Sequence, residues 1–362
     1  MTFSAHGEHL LSSGLNQNIQ VWRVQDGQRV AAIETKNVLC VAASKNGKWV
    51  AGGTLLGEVF LWDAETYERV WKGRNKIRAV DFSPDSTQLV AGSWNGTATM
   101  LDVANGKKIW TIKRHDKQGL ITAKFSSDGD RIATAAWNGS VQVCNSKDGQ
   151  LLVDIPVTVT PWYNYGLRWF NNHIFVVSDN TIKQQDASTG STVSEWPVPN
   201  SDFHSCIAIP RHGKFIVYST SRSVTVWDTS THLQIGLVEH SGDIRSIALS
   251  PGDTSLAIGG EHGAITIKKS ISPHCEYTIS MTHSVSDTPL VFQTGFIVNI
   301  CSTPHFTGTW HSDQSRCTRC LEARSTRRRR HIIDHRYTRV SKSKQQFTCC
   351  SSSRTGSFAT LG

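Results

Sequence analysis

Metal-ligating residue types collect near the C-terminal end of the chain. Cys317-Thr-Arg-Cys320 is followed by His331 and His335, thiols and imidazoles of the kind that hold zinc. Ten residues separate Cys320 from His331, fewer than the ~12 of a zinc-finger unit, and no internal apolar pair is present to build its small core. The segment therefore reads as a solvated tail, and no metal or other cofactor is expected. Arg324 to Arg339, with Arg327 to Arg330 consecutive, could neutralise phosphates. Tyr337 is the one aromatic residue there, so a ladder for stacked bases is missing and the run reads as solvated charge. Catalytic spacings are absent elsewhere: there is no Gly-x-x-x-x-Gly-Lys-Ser/Thr loop, no His-Glu-x-x-His, no Gly-x-Ser-x-Gly and no Gly-rich dinucleotide fingerprint. Asp63, Asp85, Asp102, Asp128 and Asp228 recur at matching places in a repeat, which makes them turn residues rather than general acids.

The elements that would position any site are short β-type runs. Ile77 to Asp102 reads Ile-Arg-Ala-Val-Asp-Phe, Ser-Pro-Asp-Ser, Gln-Leu-Val-Ala-Gly-Ser, Trp-Asn-Gly, Thr-Ala-Thr-Met-Leu-Asp. Three alternating runs joined by two turn signals predict a tight antiparallel meander. Such a unit cannot hide its own apolar faces, so it needs copies. Moving 43 residues on carries Phe82, Leu89, Trp94, Asn95, Gly96 and Asp102 onto Phe125, Ile132, Trp137, Asn138, Gly139 and Asn145. Moving 39 back carries Ser83, Gly92, Gly96 and Asp102 onto Ser44, Gly53, Gly57 and Asp63.

Third-run endings fall at Val21-Trp22, Leu61-Trp62-Asp63, Met100-Leu101-Asp102, Val143-Cys144-Asn145, Gln185-Asp186, Val226-Trp227-Asp228 and Ile267-Lys268-Lys269. A fourth run follows, as at Arg29 to Ile33, Lys108 to Ile112 and Leu151 to Ile155. Seven units of four strands describe the blades of a β-propeller.

Leu61-Trp62-Asp63, Val226-Trp227-Asp228, Phe82-Ser83-Pro84-Asp85 and Glu239-His240-Ser241-Gly242-Asp243 resemble WD40 repeats over roughly residues 1 to 280. The resemblance implies an all-β, seven-bladed WD40-type propeller, with His115, His240, Trp62, Asp63, Trp227 and Asp228 as structural repeat residues. In that family a His, a Ser or Thr, an Asp and a Trp tie each blade together. No blade here keeps all four, so packing between neighbours must carry more of the stability. The resemblance also places the turn between second and third strands on the rim used for partners. Trp94 and Trp137 occupy that turn in adjacent blades, and Trp162, Tyr163 and Tyr165 fall in the loop entering the fifth. Clustered rings in turns are costly to leave in water and frequent at binding hot spots. The expected function is a non-enzymatic scaffold or adaptor for proteins or peptides. The alternatives are an enzyme or cofactor-binding propeller of quinoprotein dehydrogenase type, with its ligand in the central channel, and a fragment of a larger WD40-containing regulatory protein.

Composition supports this division. Net charge is +9, but 12 Lys and Arg against 3 Asp and Glu lie from residue 301 onward, so the first 300 residues balance to zero. The expected organisation is a propeller over 1–280, an extra strand or linker over 281–300 including Pro289 to Ile300, and a disordered basic tail over 301–362 rich in Ser, Arg and Cys. The first blade is expected to be truncated, because Phe3 falls at the last position of its innermost strand; ring closure against the seventh blade is then the weakest seam. Nine Cys, mostly scattered singly, and an N-terminus with Glu8, His6 and His9 read as a reduced, cytoplasmic or nuclear chain. No run approaches the ~18 apolar residues of a membrane helix.

Overall fold

The computed structural model describes residues 1–281 apart from 15–16, 36, 75–76, 114, 116–118, 156–165, 179, 200–204 and 270–276. The chain divides into two compact units, Met1–Ile300 and Cys301–Gly362. The second unit lies outside the described residues, as do the zinc-type ligands, the arginine run and the strand expected over Pro289 to Ile300.

Seven four-stranded sheets follow one another, each an antiparallel meander in chain order. Their innermost strands are Thr2–Phe3, Val38–Ala43, Ile77–Phe82, Leu120–Phe125, Leu167–Phe170, Cys206–Ala208 and Ile244–Leu249. Each touches the next in the series, and Ile244–Leu249 touches Thr2–Phe3, which closes the ring. The molecule is the all-β, seven-bladed propeller that the repeat predicts. Among the described residues the only helical piece is a single 3-10 turn at Glu261–Gly263.

The third blade shows why this sequence takes this form. Its two middle strands, Gln88–Ser93 and Thr97–Asp102, are covered on both faces by neighbouring blades and so read as nearly continuous apolar and small residues. The outermost strand, Lys108–Lys113, has only one covered side, where Trp110 and Ile112 are half-buried, and it leaves Lys108, Ile109, Thr111 and Lys113 exposed. Small residues set how closely blades approach. A Cβ at Gly53 would run into Ile77 of the next blade, leaving no room for any larger side chain there.

In blades 2 and 3 a repeat-equivalent tryptophan binds the outer strand to the next blade. Trp71, on Arg69–Arg74, donates its indole N–H to the Val103 carbonyl of the third blade at 2.8 Å. Trp110 repeats the bond one blade on, to the Ser146 carbonyl at 2.9 Å. Each ring lies by a left-handed glycine of the adjoining turn, Gly106 (φ +69°) for Trp71 and Gly149 (φ +74°) for Trp110; a Cβ would run into the Trp71 ring at the first and into Ile112 at the second.

The repeat residues occupy turns and blade interiors. Asp63 accepts the N–H groups of Glu65 and Thr66, both at 2.9 Å, and Asp228 those of Ser230 (2.9 Å) and Thr231 (2.8 Å). The Ser230 hydroxyl and these N–H groups pull the Asp228 carboxyl down to about 2. Trp62 is buried and stacks on Phe60, with ring centroids 5.4 Å apart. Trp227 donates to Thr225 Oγ1 at 2.8 Å. His240 Nδ1 lies 2.8 Å from the Gly242 carbonyl, and its ring fills the space over Gly260.

At the closure of the ring, Phe3, Leu10 and Trp22 of the first blade pack with Ala257, Ile265 and Ile267 of the seventh. The innermost strand of the first blade has two residues against six in the third. A cleft of about 810 Å³ opens at this junction, lined by Glu8, His9, Arg23, Gln25, Asp253 and Lys269 among others. Lys269 Nζ reaches the Gln25 carbonyl across it at 3.3 Å.

Candidate functional site

The turns between second and third strands share one design in blades 2, 3 and 4. Thr54-Leu55-Leu56-Gly57, Ser93-Trp94-Asn95-Gly96 and Ala136-Trp137-Asn138-Gly139 each close with the glycine N–H donating to the first residue's carbonyl, at 3.1, 3.2 and 2.9 Å. The glycines hold φ values of +86°, +78° and +81°, the left-handed position that ends such a turn. In blades 3 and 4 the asparagine locks the turn. Asn95 Oδ1 accepts the Thr97 hydroxyl at 2.6 Å, and Asn138 Oδ1 accepts the Ser140 hydroxyl at 2.7 Å. The residue after the first carbonyl must point away from the sheet, and this is where Leu55, Trp94 and Trp137 stand.

Trp94 and Trp137 meet across the junction of blades 3 and 4, stacked with centroids 6.2 Å apart and planes 25° from parallel. Gly119 makes this approach feasible. It accepts the Trp137 N–H at 3.1 Å, and a Cβ on it would lie 3.0 Å from the Trp94 carbonyl oxygen and 3.1 Å from the Trp137 ring. Arg78, second residue of the innermost strand of blade 3, sets its guanidinium carbon 4.2 Å from the Trp94 ring centre and 4.7 Å from that of Trp137. A cation against two ring faces is electrostatically favourable and orients both. Trp94 remains 38% exposed and Trp137 half-buried.

Leu55 and Leu56, at 49% and 73% exposure, continue the apolar arc into blade 2. Sequence reasoning singled out the rings and passed over these two leucines, although moving 39 residues back from Trp94 lands on Leu55. Arg78 also escaped notice, since nothing in the spacing of an inner strand announces contact with two turns. Trp162, Tyr163 and Tyr165 lie outside the described residues.

Beneath Trp137, His115 ties the turn to the interior of blade 4. Its Nδ1 is 2.7 Å from Ser140 Oγ, and its Nε2 is 3.0 Å from Thr134 Oγ1. The Ser140 hydroxyl donates to Asn138, so its oxygen accepts from Nδ1–H and the neutral Nε2 accepts from Thr134. Burial pushes the imidazole down to about 4, so it is uncharged at neutral pH. The role of His115 is thus to hold the turn that carries Trp137.

The central channel has a different character. Asp81 and Lys124 are repeat-equivalent residues of blades 3 and 4, and they form an ion pair at 2.8 Å. Asp81 also accepts the Phe125 N–H at 3.0 Å. Burial pushes the Cys40 thiol up to about 11 and raises Cys206 as well, so both stay protonated and pack as small apolar groups. Among the described residues no group of three or more His, Cys, Asp or Glu side chains could hold a metal ion.

Comparison with known proteins agrees with this geometry. The model described as "WD domain, G-beta repeat" matches residues 27–63 and 65–102, and that described as "Anaphase-promoting complex subunit 4 WD40 domain" matches residues 104–172. Eukaryotic translation initiation factor 3 subunit I of Sclerotinia sclerotiorum is 22% identical over 317 residues, covering 78% of this chain and 94% of that protein. WD repeat-containing protein 18 of Danio rerio is 21% identical over 297 residues, covering 73% of this chain and 68% of that protein. A chain from the structure entitled "Crystal Structure of Mitotic Checkpoint Complex" superposes with a TM-score of 0.66 at 19% identity, covering 75% of this chain and 86% of the other.

Proposed function

The chain belongs to the WD-repeat family of β-propeller proteins, and from that premise we propose that it is a non-enzymatic scaffold which holds other proteins or peptides on the turn face of blades 2 to 4. The observation that carries this reading is the stacked Trp94–Trp137 pair, held in locked turns yet still reachable from solvent. Single exposed aromatics are commonplace, whereas a preorganised pair flanked by Leu55 and Leu56 offers the rigid apolar anchor typical of a binding hot spot. A propeller suits such a role because seven blades support many loops on one stiff face.

Several similar proteins bear names of factors or subunits, among them translation initiation factor 3 subunit I and pre-mRNA-processing factor 17 of Homo sapiens. By the same logic this chain is proposed to work inside a multiprotein assembly of the cytoplasm or nucleus. A cofactor held in the channel is less well supported, since Asp81 there is already engaged by Lys124.

The test is affinity purification with mass spectrometry, comparing the wild-type chain with a Trp94→Ala, Trp137→Ala double variant. Partners engaging this face are expected to bind at least about 30-fold more weakly, the loss of a ~2 kcal/mol hot spot. An unchanged set of partners at unchanged affinity would defeat the reading.

A further inference from the structure

Resting on the interaction face just described, we propose that its partner is an acidic peptide segment carrying large apolar side chains, seated along the arc of Leu55, Leu56, Trp94 and Trp137 with its carboxylates toward Arg74, Arg78 and Lys113.

The apolar half of the argument is the arc itself. Three consecutive blades place a large apolar residue at one turn position, and the chain direction around the ring sets them in a row. A row one turn wide and three blades long fits an extended segment better than a compact small molecule, because side chains of such a segment can each meet a different blade.

The charged half comes from where the cations stand. Arg78 lies against both tryptophan rings from the channel side, so a carboxylate approaching the rings meets its guanidinium. Arg74 and Lys113 end the outermost strands of blades 2 and 3 on the same face, and both are exposed. Glu58, the carboxylate that begins the third strand of blade 2, is already held by Lys72 at 2.5 Å. The far side of this face is arranged differently. In blades 6 and 7, Arg222 pairs with Asp243 at 3.5 Å and Arg245 with Glu261 at 2.8 Å, each cation meeting a carboxylate of the same face. Among the described residues, exposed cations and exposed apolar surface thus coincide on blades 2 to 4, and a partner complementary to both is acidic and apolar together. A nucleic acid would also meet the cations and the rings, but Leu55 and Leu56 offer its bases and phosphates nothing to bond to.

The experiment is selection of a phage-displayed random-peptide library on the full chain, followed by anisotropy titration of a selected peptide after synthesis. Enrichment of sequences joining Asp or Glu to Leu, Phe or Trp is expected. Affinity for such a peptide is expected to fall about tenfold or more in Arg78→Gln, the loss of one charge-assisted hydrogen bond. It should also weaken with added salt and in the surface variant Arg74→Gln, Lys113→Gln, which leaves the fold untouched. Selected peptides without acidic enrichment that still depend on Trp94 would overturn the acidic chemistry and leave the interaction face standing. Peptides indifferent to Trp94→Ala would remove both. Tighter binding of a single-stranded RNA oligonucleotide than of any selected peptide, lost in the same variants, would likewise overturn it.

Discussion

Replacing Trp110 with Ala is expected to lower the stability of the propeller by about 3 kcal/mol, at the low end of the range for truncating a large aromatic because the ring is only half-buried. The ring packs against two apolar clusters that join its own blade, through residues such as Val90 and Met100, to the next, through residues such as Phe125 and Leu120, so its removal opens a void at the junction of two blades. The Ser146 carbonyl loses its indole donor at the same time. Trp110→Phe separates the two contributions: it keeps most of the packing and removes only the hydrogen bond, for an expected loss of about 1 kcal/mol. Urea unfolding followed by circular dichroism reads both. Equal losses in the two variants would show that packing across the junction does not hold these blades together.

The second large effect is a pH dependence that belongs to His115. In the folded chain its pKa sits at about 4, against an ordinary value of 6.5. Between those values the unfolded chain binds a proton that the folded chain refuses. Acid therefore favours unfolding: the contribution of this group is complete above about pH 6.5 and declines as pH falls toward 4. The span is worth about 3 kcal/mol, at ~1.4 kcal/mol per pH unit for one proton. The lowered aspartates, such as Asp63 and Asp128, also lose stability in acid, but below their ordinary value of 3.8. The buried Met1 ammonium, lowered from its ordinary value of 8.0, acts in the same direction as the histidine, so the comparison with a His115 variant isolates the histidine's share. Unfolding free energies measured from pH 6.5 to 4 should slope more steeply in the wild-type chain than in His115→Asn. An equal slope in both would mean that His115 is not held neutral by its burial between Ser140 and Thr134.

The seven-bladed architecture was legible because a period near 40 residues is a physical necessity for units that cannot bury their own faces. Strand by strand, Ile77 to Asp102 declares its runs and its turns. What the sequence concealed depends on which side of a strand a residue faces and on what the next blade brings there. Thr134 reads as an ordinary strand residue until the fold sets it 3.0 Å from His115 Nε2. In blade 4 the pair of Thr134 and Ser140 around His115 supplies a polar tie between the turn and the blade interior. Trp71 and Trp110 stand 39 residues apart and could have been found by the repeat alone, but their role as ties between blades needs the Val103 and Ser146 carbonyls in place.

The candidate site divides in the same manner. Trp94 and Trp137 stood out in the sequence because a turn is a poor place for a large ring. Leu55 did not, although it occupies the same turn position, because leucine in a β-rich chain carries no such signal. Arg78 is the clearest case of information that exists only in three dimensions. Its neighbours along the strand, Ile77 and Ala79, are buried, and the contact with two rings arises from residues 16 and 59 positions away.

Hydrogen–deuterium exchange of the chain with and without its purified partner tests the interaction face most directly. Slowed exchange is predicted in the three turns Thr54–Gly57, Ser93–Gly96 and Ala136–Gly139, with the opposite rim unchanged. Protection confined to the opposite rim, with these turns exchanging as in the free chain, would contradict it.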